Sequence, residues 1–224
     1  MKEIEKKTIS FLGAMLLMIT LISCSGGSKN GSHVDAREEE SASLPQTDMT
    51  FSVDSTLSSL FWKGFKPGSE HFGKMPISNG EIAVNGAKIY GGYVTIAMNG
   101  IVVEDLQGDM ATKLKTHLES EDFFEVATYP TARFELTNIP EEGVEWASLN
   151  ELQGNLTLKG VTKNITIPLS SVENVEGVIT VKSESFRINR TDWNVKYGSK
   201  SFFKGLGDKV IDDEIELSFL LVLR

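Results

Sequence analysis

The chain has 224 residues, with 22 Lys and Arg against 31 Asp and Glu, a formal net charge of −9 and one cysteine. A net-acidic surface excludes nucleic-acid binding by counterion release, which needs clustered Lys and Arg. A lone cysteine excludes an internal disulfide framework, so stability has to come from apolar burial, for which one domain of this length is large enough.

Residues 1–8 carry Lys2, Lys6 and Lys7, and the 14 residues from Ile9 to Ile22 contain no charge. A basic segment followed by an apolar one is the layout of a secretory signal peptide. The apolar run falls short of the roughly 20 residues that span a bilayer as a helix. The next residues, Leu21-Ile22-Ser23-Cys24, resemble the lipobox of bacterial lipoproteins. That resemblance implies a signal peptide over 1–23, cleavage before Cys24, acylation of Cys24, and attachment to a membrane of the bacterial cell envelope, facing periplasm or cell surface. Removing residues 1–23 takes away three Lys and two Glu, leaving 19 basic and 29 acidic side chains and a net charge of −10. Anionic headgroups repel such a chain, so acyl chains rather than a basic patch are expected to hold it at the membrane.

Residues 24–47 hold Ser-Gly-Gly-Ser, Arg-Glu-Glu-Glu and Ser-Ala-Ser-Leu-Pro and almost nothing to bury. This composition predicts a flexible tether with an end-to-end distance of roughly 25–30 Å. His33 falls in it and is read as a solvated linker residue.

Beyond Asp48 the signal is alternation. From Glu214 to Leu223 every odd position is large and apolar, the mark of a strand with one face in a core. The same period at Leu156 and Leu158, then at Ile165, Ile167 and Leu169, predicts a hairpin turning at 159–164. Further strands are expected at 49–53, 60–65, 80–84, 93–103, 131–138 and 178–187. Many short strands separated by Gly, Asn and Pro indicate an all-β sandwich or barrel. One helix is expected near 109–119, capped by Asp109, with Met110, Leu114 and Leu118 in a stripe and His117 half-buried beside it.

Three segments carry a family resemblance. They are Asp122-Phe123-Phe124-Glu125-Val126-Ala127-Thr128-Tyr129-Pro130-Thr131-Ala132-Arg133-Phe134, Leu152-Gln153-Gly154-Asn155-Leu156-Thr157-Leu158-Lys159-Gly160-Val161-Thr162-Lys163, and Phe186-Arg187-Ile188-Asn189-Arg190-Thr191-Asp192-Trp193-Asn194-Val195-Lys196-Tyr197-Gly198. In order and spacing they resemble the YceI-like family of exported bacterial proteins, over about 48–224. The resemblance implies an eight-stranded antiparallel barrel like that of lipocalins, holding a polyisoprenoid-type lipid such as a prenyl lipid or a quinone tail. Eight strands enclose an interior that side chains can fill or that takes one small ligand, so a structural or interaction module with a filled core is the alternative. An envelope protein or a second copy is then the partner.

A long apolar chain gains about 0.8 kcal/mol per buried methylene, so its affinity needs no polar constellation in the sequence. Expected ligand-binding residues are Trp62, His71, Phe72, Phe123, Phe124, Phe134, Trp193 and Phe203, with Phe61, Phe65 and Phe202 as further wall candidates; each aromatic is equally readable as core. Lys196, Lys200, Lys204 and Lys209 are solvated loop lysines or the rim of a barrel mouth. Arg190 with Asp192 is a fold marker, and Glu141-Glu142 and Asp212-Asp213-Glu214 are solvated turns. No nucleophile elbow, His-Glu-x-x-His, phosphate-binding Gly-rich loop or paired-Cys zinc motif is present in the sequence. A non-enzymatic protein with no cofactor beyond a bound lipid is expected.

Overall fold

The odd residues of the C-terminal strand Glu214–Leu223 turn inward, and their neighbours on both sides close a ring. The computed structural model describes residues 29–43, 47 and 49–224; the expected signal peptide and Cys24 lie outside them. In chain order the elements are β1 (Ser32–His33), β2 (Thr50–Ser52), β3 (Ser59–Lys66), β4 (Ser69–Asn85), β5 (Lys88–Ala97), β6 (Val102–Val103), α1 (Gly108–Glu119), β7 (Thr131–Leu136), β8 (Val144–Glu145), β9 (Glu151–Leu158), β10 (Val161–Val175), β11 (Val178–Ser183), β12 (Phe186–Asn189) and β13 (Glu214–Leu223). The ring runs β3-β4-β5-β7-β9-β10-β11-β13 and returns to β3, all pairs antiparallel. β12 continues the line of β11 along β13. The described residues thus form the expected closed eight-stranded barrel with a single α-helix.

Closure depends on long strands that bend. β4 pairs with β3 through its first half and with β5 through its second, with register shifts after Ile77 and Ala83. β10 likewise passes from β9 to β11 across a shift after Leu169. Such bulges add twist and let one strand turn a barrel corner. They also explain why β4 is longer than the expected 80–84: an extra residue interrupts the period that marks a strand. The hairpin between β9 and β10 turns on Lys159-Gly160 alone, both at positive φ (47° and 73°), which matches the tight turn type that suits strand twist. The expected turn at 159–164 was therefore too long.

The helix begins one residue early. Its N-cap is Gln107, which makes no side-chain capping bond, and Asp109 lies in the first turn, where a carboxylate still favours the helix dipole. Leu118 is buried while Met110 is exposed, so the apolar stripe faces the barrel only at its C-terminal end. His117 Nε2 lies 3.1 Å from Asp122 Oδ2 and the ring stands edge-on to Phe123 and Tyr197.

Residues 29–43 do not form the expected tether. β1 pairs in parallel with β12, Arg37 bridges to Asn164, and Ala42 bridges to Thr137. This strap crosses the outside of the barrel. Val34 of the strap is buried, as are the outward-facing Thr137, Asn155 and Asn164 beneath it. Asn164 Nδ2 donates to Thr137 Oγ1 and Asn155 Oδ1, both at 3.0 Å, and Asn164 Oδ1 accepts from Arg37 and Gln153. Asn155 Nδ2 donates to the Glu40 carbonyl at 2.6 Å. A polar strap can dock on a polar face because each buried group finds a partner. Its far end reaches β5, where a Cβ on Gly91 would come within 2.5 Å of the Ser43 carbonyl oxygen. His33 is part of the docked segment, with Nδ1 2.9 Å from Glu214 Oε1.

Candidate functional site: an apolar barrel interior with a covered mouth

Alternation puts apolar side chains from every barrel strand on the inside. Ile82, Ile96, Phe134, Leu156, Ile167, Phe219 and Leu221 are among those lining an apolar cavity of about 90 Å³. Trp146, from a short turn after β8, lies at the far end of it. Toward the other end, a second cavity of about 440 Å³ is lined by Trp62, His71, Met75, Leu114, His117, Phe123, Phe124, Tyr197 and Lys209. Leu217 is the one residue that lines both. The two cavities therefore lie in series along β13 and adjoin at Leu217, and α1 and the loop 196–209 cover the outer one.

Charged groups gather around the outer chamber. His71 Nδ1 lies 2.7 Å from Asp105 Oδ2, and the Phe72 N–H donates to Asp105 Oδ1 at 3.0 Å. Burial opposes the charge on Asp105, but the hydrogen bonds from His71 and Phe72 outweigh it and hold the carboxyl below its ordinary value of 3.8. A depressed carboxyl stabilises the fold fully above its unfolded pKa and loses that contribution as pH falls through its folded pKa. The difference in unfolding free energy between the wild type and Asp105→Asn is thus expected to shrink as the pH falls below about 4. Urea denaturation across that window checks this, and a constant difference would count against it.

Arg190 borders the same chamber and is 2 % exposed. Its guanidinium donates to the carbonyls of Val195 (2.6 Å), Ile211 (3.1 Å) and Asp212 (2.9 Å), with Asp213 Oδ1 at 3.6 Å. It pairs with neither Asp192 nor solvent. It staples the two ends of the loop 196–209 together. The expected solvated turn at 212–214 is engaged as well: Asp212 and Glu214 hold Lys29 of the strap at 2.6 and 3.4 Å.

Of the residues expected from the sequence, Trp62, His71, Phe123 and Phe124 meet in the outer chamber and Phe134 lines the inner one. Phe72 faces outward beside Phe61, and Phe203 is half-exposed with Phe202; neither Phe72 nor Phe203 borders the two chambers. Trp193 is fully buried, its Nε1 donating to the Leu156 carbonyl at 2.9 Å, and it is core. Leu60, Leu217 and Phe219 were not singled out as wall, although the period-two signal of their strands marked them. Trp146 carries no such signal, because a 3-10 turn rather than a strand delivers it. The indole N–H groups of Trp62 and Trp146 are buried with no partner among the described residues, and an unmet donor of this kind costs about 1–3 kcal/mol.

The family comparison agrees with this geometry. A family model described as the YceI-like domain matches residues 47–223. The chain belongs to the YceI-like family. Proteins called YceI from Salmonella arizonae and Salmonella newport are 38 % identical over 74 residues, covering 33 % of this chain and 34 % of theirs; the match spans about a third of those relatives' length. Among solved structures, BcnA of Burkholderia cenocepacia superposes with a TM-score of 0.55 at 22 % identity, covering 76 % of this chain and 98 % of that one. A polyisoprenoid-binding domain from Saccharophagus degradans, implicated in plant cell wall breakdown, superposes with a TM-score of 0.56 at 18 % identity, covering 78 % and 97 %. At these identities the two structures speak for the YceI-like fold.

Proposed function

We propose that this YceI-like chain is an exported bacterial lipoprotein, anchored through Cys24, that binds a polyisoprenoid-type lipid inside its barrel. The observation that carries the reading is the pair of chambers in series, an apolar one of about 90 Å³ behind a larger one of about 440 Å³ with polar groups at its rim. That order suits a molecule with a hydrocarbon tail and a more polar head. The unpartnered indole donor of Trp62, which lines the outer chamber, would be satisfied by a ligand oxygen, as a quinone or a prenyl alcohol offers. The polyisoprenoid-binding description of the Saccharophagus degradans domain points the same way. Binding without catalysis fits a site whose polar groups are tied to each other: His71 to Asp105, and Arg190 to backbone carbonyls.

A second reading follows from the inner volume. At about 90 Å³ it is smaller than the roughly 150 Å³ cavity that accepts benzene, so a long tail enters only if the Leu, Ile and Phe lining moves. If the lining is rigid, the barrel is a structural module. Native mass spectrometry of the protein purified from a bacterial envelope decides between them. A co-purifying apolar mass, exchangeable for an added prenyl alcohol or quinone, is expected. A ligand-free protein that takes up neither would overturn the carrier reading.

A further inference from the structure

We propose that the loop 196–209 is a membrane-docking surface that seats the mouth of the barrel on an anionic lipid bilayer. The proposal rests on the reading of Cys24 as acylated, and it adds to the lipid-binder reading where and how the barrel would meet its lipid source.

The strap supplies the first argument. Lys29 is fixed at the mouth by Asp212 at 2.6 Å and lies over the Phe65 ring at 5.7 Å; Phe65 itself lines the outer chamber. Cys24 precedes Lys29 by only five residues. Five residues span at most about 18 Å even when fully extended. An acyl anchor on Cys24 therefore holds the mouth rim within that distance of the headgroups. The opposite end of the barrel, at the hairpin between β10 and β11, cannot approach as closely without undocking the strap.

The second argument is the chemistry of the loop. Phe202 and Phe203 are each 50 % exposed and Tyr197 is 41 % exposed. Adjacent half-bare aromatics contribute little to the fold, and contiguous exposed apolar surface on a small domain marks an interaction site. Four lysines, at 196, 200, 204 and 209, accompany them with Asp208 as the single acid. The loop thus carries a net charge of +3 while the rest of the chain carries −12. None of the four lysines forms an ion pair with a carboxylate among the described residues, and Lys196 lies 4.7 Å from the Phe202 ring centre. Aromatic rings beside lysines are the composition of a membrane-interface segment. A net-acidic protein with one basic, aromatic face has only one way to approach an anionic surface. Arg190, gripping the carbonyls on both sides of the loop, keeps that face presented beside the mouth.

The test uses the acylated chain carrying Phe203→Cys or, as a distal control, Glu173→Cys on the exposed far portion of β10. Each new thiol is labelled with a nitrobenzoxadiazole dye and the protein is reconstituted in phosphatidylethanolamine–phosphatidylglycerol vesicles or in pure phosphatidylcholine vesicles. The dye at 203 is expected to shift to the blue and to be quenched by bromolipid in the anionic vesicles, and the dye at 173 to stay in water. Adding Lys200→Gln and Lys204→Gln is expected to lower the docking equilibrium constant about fivefold per lysine, roughly 25-fold together. A dye at 203 that remains in water on anionic vesicles overturns the proposal. So does burial of that dye without vesicles, which would mean self-association, and so does a second label on Cys24, which would mean its thiol is free. Ligand retention measured on the same samples separates the two readings: lost docking with ligand retained overturns docking alone, and docking without ligand overturns the carrier reading while supporting this one.

Discussion

Leu217→Trp is expected to abolish binding of a long prenyl chain and to spare a short one. Leu217 is buried and is the single residue common to both chambers. Its backbone is held on both sides, opposite Phe186 on β12 and Trp62 on β3, so an indole there cannot be relieved by moving the strand. Overpacking of this kind costs about 1–3 kcal/mol, within the 5–15 kcal/mol typical of a folded domain. The ligand loses more. Every methylene denied access to the inner chamber forfeits about 0.8 kcal/mol, so four of them remove about 3 kcal/mol, more than a hundredfold in Kd. Calorimetric titration with a 40-carbon and a 10-carbon isoprenoid reads the difference. Equal losses for both would mean that the tail does not pass Leu217.

Arg190→Ala should be the most destabilising single change near the site. The guanidinium satisfies the carbonyls of Val195, Ile211 and Asp212 and faces Asp213. Burial lowers the pKa of Arg190 below the ordinary arginine value, and the charges of Asp213 and Asp212 oppose that drop without cancelling it. Removing the side chain leaves buried acceptors with no donor and a buried carboxylate with no counter-charge. Losses of this type run to about 3–5 kcal/mol. For a domain of this size that corresponds to a fall in Tm of roughly 10–15 °C. A thermal melt showing less than about 1 kcal/mol of destabilisation would show that water or a repacked loop replaces the clasp. Lysine at 190 should rescue little, because one ammonium cannot reach three carbonyls arranged for a planar fork.

The parts of the molecule that were legible in advance are those with a periodic or local code. The inward set of β13, from Ile215 to Leu223, is the odd-numbered set marked by alternation, and all five line the chambers. The helix was placed to within a residue. The site was legible in part: Trp62, His71, Phe123, Phe124 and Phe134 border the interior, whereas Phe72 and Phe203 look outward and Trp193 is packed. An aromatic residue in a strand is equally suited to either face, and only register relative to the closed ring tells which. Bulges made this harder, because each one exchanges the inner and outer positions that follow it.

By itself, the sequence determined the class of fold and the apolar character of one face of each strand, because period two is a property of neighbouring residues. It also determined the local preference for a turn within 159–164 and for a helix near 109–119, for the same reason. Three things were decided only when distant segments met. Residues 29–43 became a strap because outward-facing Thr137, Asn155 and Asn164 offered hydrogen bonds that a polar segment could complete, and polar docking leaves no hydrophobic trace in composition. Asp212 and Glu214 became its anchor, rather than a solvated turn, because closure of the strap brings Lys29 to them across more than 180 residues of chain. The division of the interior at Leu217 arose because strands from both ends of the chain fix how far each side chain reaches into a shared space, and that is a property of the closed ring.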